Sequence, residues 1–253
     1  MCTLSWSRNK EGYQVFFNRD EQRSRSPAEI PQCIDHNGIP VLLPLDPDGG
    51  GSWISVNSHG LSLCLLNFYQ GTVPDKKLIS RGKLLRSLAH AENISSLENQ
   101  ISTTDLSHYA PFTLVAFQIT PGHRQPQEDM FQWDGKDIHR SQPENMFTSS
   151  SVKFDEVSKQ RQQRYAQEIS SLPCDDINNE HSAASNADRH ISFHASHGDK
   201  KSHRSVCMHR EDARTVSFSH IVVTNNHIKF NYHNGSPCES SAQDSTISLQ
   251  RIS

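Results

Sequence analysis

Two short runs of alternating apolar and polar side chains, Cys2-Thr3-Leu4-Ser5-Trp6-Ser7 and Gly12-Tyr13-Gln14-Val15-Phe16-Phe17, flank a polar stretch from Arg8 to Glu11. A period of two is that of a half-buried strand, and the short polar spacer suits a tight turn, so the chain opens on an antiparallel hairpin. Folding the second strand back carries Asn18-Arg19-Asp20-Glu21 beside Cys2. Cys2 directly follows the initiator methionine. Methionine aminopeptidases remove Met1 when the next side chain is this small, and the exposed Cys2 then carries a thiol and a free α-amine on one residue. An α-amine titrates near ~7.7–8 and a free thiol near ~8.5, so a fraction of neutral amine is available at pH 7 to take the thiol proton. Cys2 is therefore the candidate nucleophile. Asn18, Arg19, Asp20 and Glu21 supply what such a nucleophile needs from its neighbour, an oxygen to hold the amine and a fixed cation or amide to stabilise charge on a substrate.

Further motifs follow in order. Gly49-Gly50-Gly51-Ser52-Trp53-Ile54, with Asn57 and Gly60, precedes Leu65-Leu66-Asn67 and then Ser80-Arg81-Gly82. Together with Met1-Cys2, the NRDE quartet at 18–21, Arg23 and Arg25, they resemble the NRDE family, also called the transport and Golgi organization protein 2 family. The resemblance covers most of the first ninety residues. It implies an α+β fold, an αββα sandwich of two mainly antiparallel sheets between helices as in N-terminal-nucleophile hydrolases, similar to the cysteine acylases that open penicillins and conjugated bile salts. It implies a site centred on Cys2. In those acylases an arginine and an aspartate three residues apart face the nucleophile; here Asp20 follows Arg19 immediately, so the carboxylate role is open between Asp20 and Glu21. Members of the family are linked both to lipid or acyl metabolism and to haem handling.

Composition bounds these readings. The chain of 253 residues suffices for one sizeable domain, expected over 1–238 with a loose Ser-rich tail over 239–253. A formal charge of −3 offers no broad cationic surface for nucleic acid. No apolar run reaches the ~18–20 residues of a membrane span and no secretory leader pattern opens the chain, which leads to the expectation of a soluble, cytoplasmic protein. The six cysteines, Cys2, Cys33, Cys64, Cys174, Cys207 and Cys238, then read as reduced thiols; none forms a CxxC pair, which argues against a zinc cluster.

The rest of the chain reads as strands with a few helices. Residues 23–51, rich in Pro, Asp and Gly, are expected to form a long ordered loop, and the triple glycine to serve close backbone approach or a turn. Residues 53–57 and 61–67 form a hairpin, with Asn67 either an oxyanion donor or a strand-end cap. An amphipathic helix covers 80–90 with Leu84, Leu85 and Leu88 on its inner face, and a second helix lies near 94–101. Residues 112–119 are the strongest candidate for a central, doubly buried strand, paired with 130–133. Residues 145–151, where the resemblance implies a strand end, lead into a helix over 154–172 with Phe154, Val157, Tyr165, Ile169 and Leu172 inward. Histidines 181, 190, 194, 197, 203 and 209 crowd a segment that reads as polar, exposed helix and loop, and two antiparallel strands close the chain at 214–223 and 228–232. Trp53, Asn57, Arg81, Ser149 and Arg214 are the candidate substrate contacts.

Two functions are carried forward. The first is an amide or acyl hydrolase or acyltransferase acting through Cys2 on a small acylated substrate, with no cofactor or metal. The second is a non-catalytic carrier that binds haem or a lipid in the same pocket.

Overall fold

The computed structural model describes residues 2–120, 125–170, 180–239 and 243–252. Strands β1 (Cys2–Arg8) and β2 (Gly12–Gln22) form the expected hairpin, with the Asn9 side-chain oxygen accepting from the backbone N–H of Glu11 and Gly12 at 2.9 and 2.8 Å. They lie inside a six-stranded antiparallel sheet completed by β10 (Met146–Ser149), β11 (Ala213–Thr224), β12 (His227–Asn234) and β13 (Gln243–Gln250), in the order β10-β1-β2-β11-β12-β13. The second sheet runs β3-β4-β5-β6-β7-β8-β9, from β3 (Glu29–His36), β4 (Ile39–Leu45), β5 (Ile54–Asn57) and β6 (Ser62–Asn67) through β7 (Phe112–Gln118) to β8 (Gln127–Trp133) and β9 (Ile138–Ser141). As its mainly apolar sequence leads one to expect, every residue of β7 is buried, Thr113 and Gln118 included.

Alternation sorts the side chains into layers. Leu4, Trp6, Tyr13, Val15 and Phe17 meet Trp53, Ile54, Val56 and Phe117 between the sheets. The Tyr13 hydroxyl crosses that interface to the Gly60 carbonyl at 2.8 Å, a satisfied polar tie in an otherwise apolar layer. Helices α1 (Arg81–Leu88) and α2 (Ile94–Thr103) cover the outer face of the second sheet, through Leu84, Leu85, Leu88, Leu97 and Ile101. Helices α3 (Phe154–Tyr165) and α4 (Glu180–Ala195) cover the outer face of the first, giving the αββα sandwich. Among the described residues no helix is long and apolar enough to cross a membrane.

Four expectations are corrected. Residues 23–51 are not one loop: within them β3 and β4 pair as a hairpin turned at Asn37 and Gly38, which take φ of 57° and 82°. β3 is an edge strand with mostly exposed side chains, so it lacks the apolar alternation that marks a strand. The tail contains β13, paired with β12 along its length. The helix begun at Phe154 keeps α-geometry to Tyr165 and widens into a π-turn over Ala166–Ser170; Leu172, like Cys174, lies outside the described residues. The histidine segment is not wholly exposed. His190 and His194, one turn apart on α4, are buried at 1% and 0% exposure and both reach Ser5 Oγ, at 2.8 and 2.9 Å.

Phe16 is stacked between His190 and His220, at centroid distances of 4.6 and 4.5 Å. Burial pushes His190 down to about 3 and His220 to about 4, and holds His194 well below its ordinary value. In the unfolded chain these rings protonate near ~6.5. Between those limits the unfolded state binds more protons than the folded one, so their contribution is complete above ~6.5 and is lost as pH falls. Unfolding free energies from urea titrations between pH 7.5 and 5 should fall with a slope of up to about 1.4 kcal/mol per pH unit for each ring. His190→Gln should flatten that slope.

Candidate active site

In the first sheet Cys2 stands directly opposite Arg19 of β2 on one side and Ser149 of β10 on the other. Directly opposed residues share a face, so these three side chains point together toward the second sheet. The Cys2 backbone N–H donates to Ser149 Oγ at 2.9 Å, and Thr148 Oγ1 donates to the Cys2 carbonyl at 3.1 Å. Burial pushes the Cys2 thiol above its ordinary range, partly offset by the Asp20 backbone N–H directed at the sulfur and by the nearby Arg19.

The quartet 18–21 divides between the two faces of β2. Arg19 lies in the inter-sheet layer at 5% exposure, its guanidinium 4.1 Å over the Trp53 ring and 3.6 Å from each of the Glu21 and Asp46 carboxylates. Glu21 also lies 3.8 Å from Arg25, which is hydrogen-bonded to Asp46. Asn18 and Asp20 turn to the helical layer. The Asn18 amide donates to the His194 and Val206 carbonyls at 2.8 and 3.0 Å, which makes it a tie between β2 and the segment after α4. Asp20 accepts from Thr215 Oγ1 at 2.6 Å and faces Arg161 at 3.5 Å. Burial raises the Asp20 carboxyl, with Arg161 opposing that shift. Asp20 follows Arg19 on β2, and its backbone N–H lies at the Cys2 sulfur.

A cavity of about 420 Å³ opens over this constellation, lined by Cys2, Arg19, Asp20, Glu21, Asp46, Trp53, Asn67, Tyr69 and Arg81 among others. Asn67 Nδ2 donates to the Tyr69 hydroxyl at 2.7 Å, and Arg81 donates to the Pro111 carbonyl at 2.8 Å. Arg81 is seated by the triple glycine. A Cβ on Gly51 would lie 2.1 Å from the Gly82 carbonyl carbon, so only glycine lets the loop lie against the start of α1, where Ser52 N–H donates to Gly82 O at 3.0 Å.

Of the residues singled out from sequence, Cys2, Arg19, Asp20, Glu21, Trp53, Asn67 and Arg81 line one cavity, and Ser149 holds the Cys2 nitrogen. Asn57 lies elsewhere: its amide donates to the Ala89 and Ala91 carbonyls at 3.0 and 2.7 Å, pinning the end of α1 to β5. Arg214, opposite Glu21 and 3.7 Å from Glu239, lines an adjoining cavity that shares Arg19 and Glu21. Sequence reading missed Asp46, Tyr69, Thr215 and Arg161. Arg161 had a signal, an arginine at the middle of the stripe Val157, Arg161, Tyr165 that α3 turns to the sheet.

A family profile described as Transport and Golgi organisation 2 matches residues 1–233. The chain belongs to the transport and Golgi organisation 2 family. No curated protein matches this family member by sequence. Solved structures similar to it include a mutant conjugated bile acid hydrolase from Clostridium perfringens, at 14% identity and a TM-score of 0.55 over 98% of this chain and 92% of that one. A second variant of that hydrolase aligns at 12% identity and TM-score 0.53 over 99% and 97% of the two chains. The Caenorhabditis elegans N-acylethanolamine-hydrolyzing acid amidase ortholog aligns at 11% and 0.53, over 98% and 100%. The family member thus has the N-terminal-nucleophile hydrolase-like fold.

Arg161 is fully buried against Asp20, and removing one member of such a pair strands the other charge. Arg161→Met should cost about 3–5 kcal/mol in urea denaturation, and adding Asp20→Asn should recover part of that loss. Gly51→Ala should cost about 1–3 kcal/mol through the same assay.

Proposed function

We propose that this protein is an N-terminal-cysteine amide or acyl hydrolase, or an acyltransferase, acting on a small acylated substrate. The observation that carries this reading is the convergence of the Cys2 side chain with Arg19 at a polar cavity that Asp20 also lines. Removal of Met1 frees the Cys2 α-amine, which takes the thiol proton. The sulfur attacks the substrate carbonyl, and the C=O electron pair moves onto oxygen, where the Asn67 amide or a backbone N–H stabilises it. Collapse expels the amine, which leaves with the proton held by the α-ammonium, and a thioester remains on Cys2. Water, or an acceptor alcohol or amine, then takes the acyl group and returns the thiol.

Asp20 holds the α-ammonium in this scheme; it is the better candidate than Glu21 because its backbone already meets Cys2. Arg19 and Arg25 are met by Glu21 and Asp46, with Trp53 beneath Arg19 fixing that guanidinium, while Arg81, whose described hydrogen bond goes to a backbone carbonyl, favours a substrate bearing an anionic group. The alternative is a haem or lipid carrier using the same cavity without turnover.

Intact mass of the purified protein should show Met1 removed. A thiol-directed acyl probe followed by peptide mapping should label Cys2 ahead of the exposed Cys33, and Cys2→Ser should lower turnover of any acyl substrate found by ~10³-fold or more. Retention of Met1, or labelling that spares Cys2, sinks the enzymatic reading. A saturable spectral change with hemin that survives Cys2→Ala, with no probe labelling, favours the carrier.

A further inference from the structure

His197, Cys207, His209 and Cys238 come together outside the Cys2 cavity, with one ligand-type atom from each lying within 4.8 Å of all the others. No two of them form a CxxC pair. His197 lies just past the end of α4, Cys207 and His209 lie in the segment leading to β11, and Cys238 lies in the turn after β12. The expectation of no zinc cluster rested on the lack of a CxxC pair, a local spacing that says nothing of residues brought together from separate segments.

We propose that these four residues form a structural zinc site. Zinc takes Cys and His in a tetrahedron with Zn–S near ~2.3 Å and Zn–N near ~2.0–2.1 Å, which puts neighbouring ligand atoms about 3.3–3.8 Å apart. Cys238 Sγ and Cys207 Sγ lie 3.3 and 3.6 Å from His209 Nε2, already at tetrahedral edge lengths. His197 Nε2 is buried with no hydrogen-bond partner, a cost that a metal bond removes. The backbone around the ligands is held in place without the ion: Cys207 N–H donates to Ser196 O at 2.9 Å, and Ser236 Oγ donates to the Thr215 carbonyl at 2.8 Å. The Lys201 ammonium, 3.8 Å from Cys238 Sγ, is placed to support a thiolate.

Binding releases two protons, one from each thiol, and leaves a neutral centre of one zinc ion and two thiolates. Four protein ligands leave no open position, so the ion is structural and takes no part in chemistry at Cys2. Its effect there is mechanical. It clamps the end of α4 to the β11–β12 end of the first sheet, and the carbonyls of His194 and Val206 in that clamped segment are the ones that hold the Asn18 amide under β2.

The test uses the full chain, made without a polyhistidine tag and purified under reducing conditions. Elemental analysis should find about one zinc per chain. Cobalt substituted for zinc should give the intense visible bands of a tetrahedral ion together with thiolate-to-cobalt charge transfer. The Cys207→Ser/Cys238→Ser variant should lose the zinc, and Cys33→Ser should keep it. Failure of the reduced wild-type protein to take up one equivalent of zinc or cobalt overturns the proposal, as does full zinc content in Cys207→Ser/Cys238→Ser. The wild-type metal content and cobalt spectrum decide the matter even if the double variant does not fold.

Discussion

Arg161 is a guanidinium with no exposed surface, buried between a helix and a sheet. Taking such a charge out of water costs several kcal/mol unless a counter-charge and hydrogen-bond acceptors meet it. Here they do: Asp20 supplies the charge, and the hydroxyls of Thr3 and Thr148 accept at 2.6 and 2.8 Å. Those partners sit on β2, β1 and β10, so one side chain of α3 ties together the three strands that carry Asp20, Cys2 and Ser149. The position of the Cys2 sulfur is thereby set from beneath, with Arg161 itself outside the cavity lining.

The same hairpin has two chemically different faces. Toward the second sheet, β1 and β2 present apolar side chains ending in Cys2 and Arg19; toward the helices they present Thr3, Ser5, Asn18 and Asp20, all buried and hydrogen-bonded. A polar underside lets the helical layer grip the strands by directional bonds, which resist sliding better than apolar contact does. The imidazoles of His190 and His194 serve the same end through Ser5, as neutral hydrogen-bonding rings. In the structurally similar bile acid hydrolase and acid amidase the fold is shared across very low identity. What this family member keeps in common with them is thus an architecture, and its own chemistry rests on its own side chains.

Legibility in the sequence followed how local each signal was. The first hairpin, β7, α1 and α2 were readable because their apolar period repeats over enough residues to exclude the alternative. β3 and β13 were not, because edge and near-edge strands with exposed side chains carry no such period and owe their form to pairing with a neighbour. Within the site, Cys2 and the 18–21 quartet were readable from hairpin geometry. Asp46 and Tyr69 were not, since each reaches the cavity from a loop whose path depends on contacts such as Gly51 against Gly82. The buried histidines were misjudged because a polar residue reads as exposed unless its partner, here Ser5, is known.

By itself the sequence determined that residues 2–17 form an antiparallel hairpin that returns the 18–21 quartet beside Cys2, since side-chain period and turn length leave little freedom in a local hairpin. Only the tertiary structure decided which face each member of the quartet takes as a working surface, and that residues as distant as His197 and Cys238 meet. Those outcomes depend on long-range packing, where burial and charge pairing are settled by partners that no local pattern encodes.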